Sequence, residues 1–251
     1  MNICAIASGS NGNCYYIGDN AEGILVDAGL SARQLRLRLE SREIDQSTIK
    51  AILVTHEHSD HCRGIRVLSN QLQIPVYITK KTFLALHKKN RPDKVRWFDP
   101  GEAFNIGSFK IFPFLKSHDA IEACSFRVKC HGKQIGVMTD IGTPEESVQH
   151  EFSLCDAVFL ESNYEKKMLR DGNYPCFLKE RILSGHGHLS NLQAYFLAKS
   201  CGGENLKLIL LSHLSGENNT PELAISRFKS LQSKYHICLT FRHAATEVFK
   251  V

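Results

Sequence analysis

No apolar run in the 251-residue chain approaches the roughly 20 residues needed to span a bilayer, which excludes a helical membrane protein. The N-terminus, MNICAIASGS, has neither a basic leader nor a long apolar segment, so no secretory signal is expected. The nine cysteines are scattered and contain no CxxC pair, which excludes a zinc ribbon or a thioredoxin-type motif. An odd, unpatterned set of thiols without an export signal reads as reduced, and a cytoplasmic location is expected. Most of these cysteines, as in CDAVFLE and HICLTF, should be small buried hydrophobes. Linkers, repeats and low-complexity stretches are also missing. A single domain over residues 1–251 is therefore expected, long enough to bury a core without disulfide staples. Charge of one sign is scarce too: 31 Lys+Arg against 26 Asp+Glu leave +5, which admits an anionic substrate without demanding one.

What is present is a series of short β-branched and aromatic segments with turn-type flanks: residues 2–7, 23–29, 51–56, 75–79, 109–118, 126–130, 133–140, 157–162, 206–213 and 237–241. Helical signals lie between them. Ser31 with Gln34 predicts a capped helix to about residue 44. Ile65, Leu68 and Leu72 mark one helix face. Thr143, Pro144 and Glu146 predict another start. Ser190 with Gln193 caps a helix to about Ser200, and Thr220-Pro221 begins one carrying Leu223, Phe228 and Leu231. The chain is thus α/β, and two packed mixed sheets with helices outside fit the count.

Five strand segments end in a residue of metal-ligand type: Asp27, His56, His118, Asp140 and His213. Strand ends feeding loops are where a rigid scaffold holds reactive groups. The densest feature is His56-Glu57-His58-Ser59-Asp60-His61, directly after AILVT. If the strand continued, alternation would aim His56 and His58 the same way, and the following turn would return Asp60 and His61. Imidazole with carboxylate suits zinc, and also manganese or iron. At this chain's own His and Asp frequencies the pattern arises by chance roughly once in a thousand chains. One isolated His is more often structural, but three with an Asp at this spacing point to metal.

THEHSDH after an apolar strand resembles the signature of the metallo-β-lactamase superfamily. That resemblance implies an αββα four-layer sandwich of two mixed β-sheets flanked by helices, with two divalent ions at one edge. It further implies that His56, His58 and His118 hold one ion, that Asp60, His61 and His213 hold the other, and that Asp140 bridges them. Asp27 would orient a ligand from behind. In the oxygen-reducing diiron branch of that superfamily the second histidine of the motif is typically Glu, and here it is His58. ASGSNGNCYYIG, ESNYEKKMLRDGNYPCFLKERILSGHGHLSN and LLSHLSGENNTPELA are similar to the WalJ/YycJ (VicX) family of bacterial exonucleases, over nearly the full chain. That narrower resemblance implies metal-assisted hydrolysis of a phosphodiester, with DNA cut from its 5′ end and Asp60 and Asp140 at the reacting centre.

Gly187-His188-Leu189-Ser190-Asn191 opens a helix, where unpaired N–H groups favour an anion. It resembles the GHST-type element of tRNA 3′-processing nucleases, in which a His paired with a Glu acts at the scissile phosphate. His188 with Glu161 is the corresponding catalytic pair here. Ser190, Asn191, Arg181 and Asn13 are candidate substrate contacts, although Ser190 also reads as a plain cap and Arg181, like Lys179, as a solvated charge. His186 is a bystander or a substrate contact. Asn218 and Asn219 line the site or build the turn. The basic stretch 80–94 reads first as a solvated face, and aromatics do not interleave with it as in a base-stacking platform. Hydrolysis of a small thioester, lactone or cyclic phosphodiester, RNA processing, and a non-catalytic metal-stabilised scaffold remain as alternatives, because fold alone does not choose substrate.

Overall fold

The computed structural model describes residues 1–19 and 21–251. Its first sheet contains β1 (Asn2–Ala7), β2 (Cys14–Gly18), β3 (Gly23–Val26), β4 (Ile49–Leu53), β5 (Val76–Ile78) and β6 (Val95–Trp97). The second contains β7 (Phe104–Ile106), β8 (Phe109–Leu115), β9 (Cys124–Cys130), β10 (Lys133–Met138), β11 (Ala157–Glu161), β12 (Leu208–Ser212) and β13 (His236–Leu239). A last strand, β14 (Phe249–Lys250), returns to pair with β1. The orders are β14-β1-β2-β3-β4-β5-β6 and β13-β12-β11-β10-β9-β8-β7. Each sheet is mixed: β1 to β3 and β7 to β10 are antiparallel, and the remaining pairs from β3 to β6 and from β10 to β13 are parallel.

The first half adds α1 (Ala32–Glu40), α2 (Ser59–Cys62), α3 (Ile65–Leu72) and α4 (Lys80–Ala85). The second adds α5 (Glu146–Ser153), α6 (Lys166–Asp171), α7 (Cys176–Leu183), α8 (Asn191–Cys201) and α9 (Pro221–Arg227). Strand alternation sorts the apolar side chains into separate cores. Ile3, Ala5, Tyr15, Ile17, Phe126 and Phe159 fill the space between the sheets. Their neighbours Cys4, Ile6 and Tyr16 turn outward against Leu35, Leu39, Ile65 and Leu68 of α1 and α3. On the other side, Val158, Leu160 and Leu211 meet Phe152, Ala194, Leu197 and Ala224 of α5, α8 and α9. The result is helix, sheet, sheet, helix. Burial on both faces is why so many strands read as continuous apolar runs instead of alternating ones.

Several local expectations change. The strands stop short of the ligand-type residues: β3 ends at Val26, β4 at Leu53, β8 at Leu115 and β10 at Met138, so these residues stand on the first loop positions beyond each strand. Alternation therefore does not aim His56 and His58. The first helix ends at Glu40, because the chain turns through Glu43 at a left-handed φ of 55°. Thr143 is not a helix cap. Its hydroxyl donates to Gly185 O at 3.1 Å, and α5 begins after Glu145. Ser190 does form a capping box with Gln193, and Thr220 caps α9. Phe228 and Leu231 lie beyond that helix, Leu231 in a 3-10 turn, yet both are buried.

Candidate active site

Asp27, Asp140 and His213 each turn the chain just past a strand in a left-handed conformation, with φ of 63°, 56° and 56°. Non-glycine residues rarely adopt this region, and such strain concentrates at functional sites. Asp27 serves the neighbouring loop. Its carboxylate accepts Thr55 N at 2.9 Å and Thr55 Oγ1 at 2.8 Å, and Oδ2 lies 2.7 Å from His61 Nδ1. The single helical turn of α2, closed by His61 N to His58 O at 2.9 Å, brings Asp60 and His61 back under His56 and His58. Gly29 makes room for this turn, since a Cβ there would stand 1.6 Å from Asp60 O.

The side chains converge in four overlapping groups able to hold a metal ion: His56, His58 and His118; His56, His61 and Asp140; Asp60, His61 and His213; and Asp140, Glu161, His188 and His213. His58 Nδ1 lies 3.1 Å from His56 Nε2 and 3.4 Å from His118 Nε2. Ligands arranged tetrahedrally about a zinc-class ion, each about 2.0–2.1 Å from it, lie about 3.3–3.4 Å apart. His118 Nδ1 is 3.0 Å from Gly187 O, to which it can donate, so that Nε2 is left for the site. On the other side His61 Nε2 is 3.2 Å from Asp140 Oδ2 and 3.5 Å from Asp60 Oδ2, and His213 Nε2 is 3.6 Å from Asp60 Oδ2. Asp140 Oδ2 and His213 Nε2 are buried without a hydrogen-bond partner. Such orphaned atoms are costly unless another group completes them. The donor set therefore fits divalent metal.

Electrostatics divide the cluster. Burial, with His61 and Lys116 nearby, holds His56 well below the usual imidazole range, and burial pushes His118 down to about 4. Both are then neutral, as metal ligands must be. Burial alone would also lower His61 and His213. The carboxylates of Asp140, Asp27 and Asp60 overcome it at His61 and hold that group well above its ordinary value, while Asp140, Asp60 and Glu161 raise His213 to about 10. Burial favours the acid form of Asp140, but His213 and His61 reverse it and keep Asp140 ionised.

Glu161 is wholly buried. Oε2 accepts Ile141 N at 2.8 Å and Leu189 N at 3.0 Å, and Oε1 lies 2.8 Å from His188 Nδ1 and 3.1 Å from His213 Nδ1. His188 above all offsets the burial penalty and pulls Glu161 down to about 2. His188 Nδ1 is also 3.7 Å from Asp140 Oδ1.

The substrate contacts expected from sequence divide differently. Asn13 is wholly buried, and its amide nitrogen meets His61 Nε2 at 3.0 Å and Asp60 Oδ2 at 3.3 Å, so it braces the ligand loop instead of facing substrate. Asn191 is also wholly buried, bonded to Ser162, Glu165 and Asn219. It holds loops together and has no surface to offer. The Ser190 hydroxyl is spent on its cap. Asn219 donates to Ser162 O and Asn163 O and so builds the turn. Arg181 does reach the rim, pairing with Asp119 beside His118, and His186 Nδ1 lies 3.0 Å from Ser117 Oγ. Lys179 turns to Arg170 O. In the basic stretch, Arg91 donates to Leu84 O, Lys94 to Gln73 O, and Lys81 pairs with Glu122.

One participant escaped sequence reading. Lys116 is buried and donates to Thr139 O at 2.6 Å, tying the His118 loop to the residue before Asp140. A lysine closing the apolar run FKIFPFLK was the available signal.

Residues 22–213 match the family model described as a beta-lactamase superfamily domain. The chain belongs to this superfamily of hydrolases and has the metallo-β-lactamase fold. It is 35% identical over 227 residues to "Exodeoxyribonuclease YycJ" of Bacillus anthracis, covering 89% of this chain and 86% of that protein. It is also 35% identical over 224 residues to "Exodeoxyribonuclease WalJ" of Streptococcus pneumoniae, covering 87% and 83%. Among solved structures, the metallo-beta-lactamase fold protein YhfI of Bacillus subtilis superposes with a TM-score of 0.72 at 18% identity, over 98% of this chain and 99% of that one.

Proposed function

We propose that the chain is a cytoplasmic, single-domain exodeoxyribonuclease of residues 1–251 that hydrolyses phosphodiesters from the 5′ end of DNA and uses two divalent ions. The observation that carries the reading is the His188–Glu161 pair, held at 2.8 Å beside Asp140 within the ligand cluster. Identity of 35% to two proteins named exodeoxyribonucleases supports the same reading. His56, His58 and His118 would hold one ion and Asp60, His61 and His213 the other, with Asp140 between them. Zinc or manganese suits this donor set, and so does iron. Such ions, when bound, supply an activated water at neutral pH and Lewis-acid stabilisation of phosphoryl oxygens.

The chain's own residues do the rest. Asp27 fixes the ring of His61, and Gly187 O fixes that of His118. Glu161 holds the Nδ1 proton of His188, so Nε2 can bind a non-bridging oxygen or give a proton to the leaving oxygen. Arg181, positioned by Asp119, offers a guanidinium to the backbone of the polymer. The small positive excess of the chain is compatible with that polyanion.

The test is a time course on duplex DNA labelled at either end, with manganese or zinc, beside Asp140→Asn. Asparagine tolerates the left-handed conformation, so the fold is spared. Early release of mononucleotides from the 5′ label, reduced about a thousandfold or more in the variant, is expected. Cleavage of RNA but not DNA, release from the 3′ label first, or full activity in Asp140→Asn would each overturn the reading.

A further inference from the structure

Far from the candidate active site, Asp19, just after β2, meets His131, just after β9. Asn13 precedes β2 and Asp140 follows β10, both at the active-site end. Asp19 and His131 stand at the other ends of this hairpin system, with β10 alone spanning about 20 Å at roughly 3.3 Å per residue. There a thiol, an imidazole and a carboxylate come together: the ligand atoms of Asp19, Cys130 and His131 all lie within 4.8 Å of one another. We propose that these three residues form a separate site for a zinc-class ion, which clamps the two sheets together at the end opposite the candidate active site.

The donor set selects the ion. Thiolate with imidazole favours zinc-class metals over magnesium or calcium, and a solvent position can complete four-coordination. The carboxylate is aimed in advance. Asp19 Oδ1 accepts Ala21 N and Glu22 N, both at 2.8 Å, which turns Oδ2 toward His131 Nε2 at 2.8 Å. Cys130 is 3% exposed and belongs to the core between the sheets, whereas His131 reaches solvent from a turn with φ of 48°. A second row of contacts supports the thiol: Cys130 Sγ is 3.5 Å from Ser108 Oγ, which donates to Glu22 Oε2 at 2.9 Å. Asp19 directly follows β2 of the first sheet, and Cys130 and His131 end and follow β9 of the second, so an ion held by all three joins the layers. Binding displaces the Cys130 thiol proton to solvent.

The two sites are separable by spectroscopy, because the candidate active site offers only His, Asp and Glu. Chelator-treated full-length protein is titrated with Co²⁺ and watched for the near-ultraviolet thiolate-to-cobalt charge-transfer band. The band is expected in the unaltered protein and absent in Cys130→Ser. In His131→Gly, where glycine accepts the turn conformation, the midpoint of the band should shift by about tenfold or more. His131 is exposed, so this variant remains informative if Cys130→Ser folds poorly. No band in the unaltered protein would overturn the proposal, and so would an unshifted midpoint in His131→Gly. A band that survives Cys130→Ser and disappears in Cys62→Ser would do the same, assigning it to the thiol that donates to His56 O.

Discussion

Asp27 Oδ2 stands 2.7 Å from His61 Nδ1, and neither side chain has any exposed surface. With that bond in place His61 can present only Nε2 to the interior of the site, and the negative charge behind the ring makes it a stronger donor. Asp27→Asn keeps the shape and tolerates the backbone angle but removes the charge. Metal affinity at the His61 side should fall about 10–100-fold, with activity recovering in excess metal. Metal content after dialysis, read beside a metal-rescue curve, checks this. Unchanged affinity would mean that Asp27 only builds the loop.

Glu161 and His188 make a separate prediction. His188→Ala should lower kcat by about 10²- to 10⁴-fold while bound metal stays as in the unaltered protein. Glu161→Gln should do more, because the same oxygen also lies 3.1 Å from His213 Nδ1. That variant should lose metal as well as turnover. Elemental analysis with single-turnover cleavage separates the two effects. Full turnover in His188→Ala would remove His188 from the chemistry.

Metal uptake should release protons. Without metal, the surrounding carboxylates keep His213 protonated up to about 10. Its folded value is raised, so the paired form is fully present below the ordinary imidazole value and is lost as pH rises through about 10. A ligand must be neutral, so at pH 7 an incoming ion displaces this proton, and apparent affinity should strengthen as pH rises. Calorimetric titrations in buffers of different ionisation enthalpy count the protons. A result independent of buffer would contradict the arrangement at His213.

The thiols divide by burial. Cys4, Cys14, Cys62, Cys124, Cys130 and Cys155 are buried, Cys201 and Cys238 are partly covered, and Cys176 is exposed. Burial pushes Cys4 up to about 11 and Cys124 to about 12, so neither offers thiolate at pH 8. An aromatic disulfide reagent should modify Cys176 quickly, Cys201 and Cys238 slowly, and the other six only after unfolding. Mass spectrometry of timed samples identifies the sites.

The layers and the ordered series of ligand-type residues were legible because both depend on what a linear pattern records. Apolar strands buried on both faces read as apolar runs, and each run broke at Asp27, His56, His118, Asp140 or His213. Caps carried by a local hydroxyl, as at Ser190 and Thr220, were legible for the same reason. The three-residue strands β6 (Val95–Trp97) and β7 (Phe104–Ile106) were not, since each has a polar middle residue, Arg96 or Asn105, whereas the equally short β5 is the unbroken apolar run Val76-Tyr77-Ile78. Thr143 had the composition of a cap, but Gly185 O in a distant loop took its hydroxyl. The directions of Asn13 and Asn191 were hidden as well. An amide in a polar loop looks alike whether it faces solvent or props a histidine, and only the folded loops decide.

The candidate active-site cluster draws His56, His58, Asp60 and His61 from loops of one sheet and His118, Asp140 and His213 from loops of the other. The sheets thus act as the jaws of a caliper, and the packed rings between them, such as Tyr15 against Phe159 at 4.8 Å, set the gap. Trimming a ring in that filling would be felt at the tips of the jaws, as a change in the spacing between the two halves of the cluster, although no residue of the cluster itself had been touched.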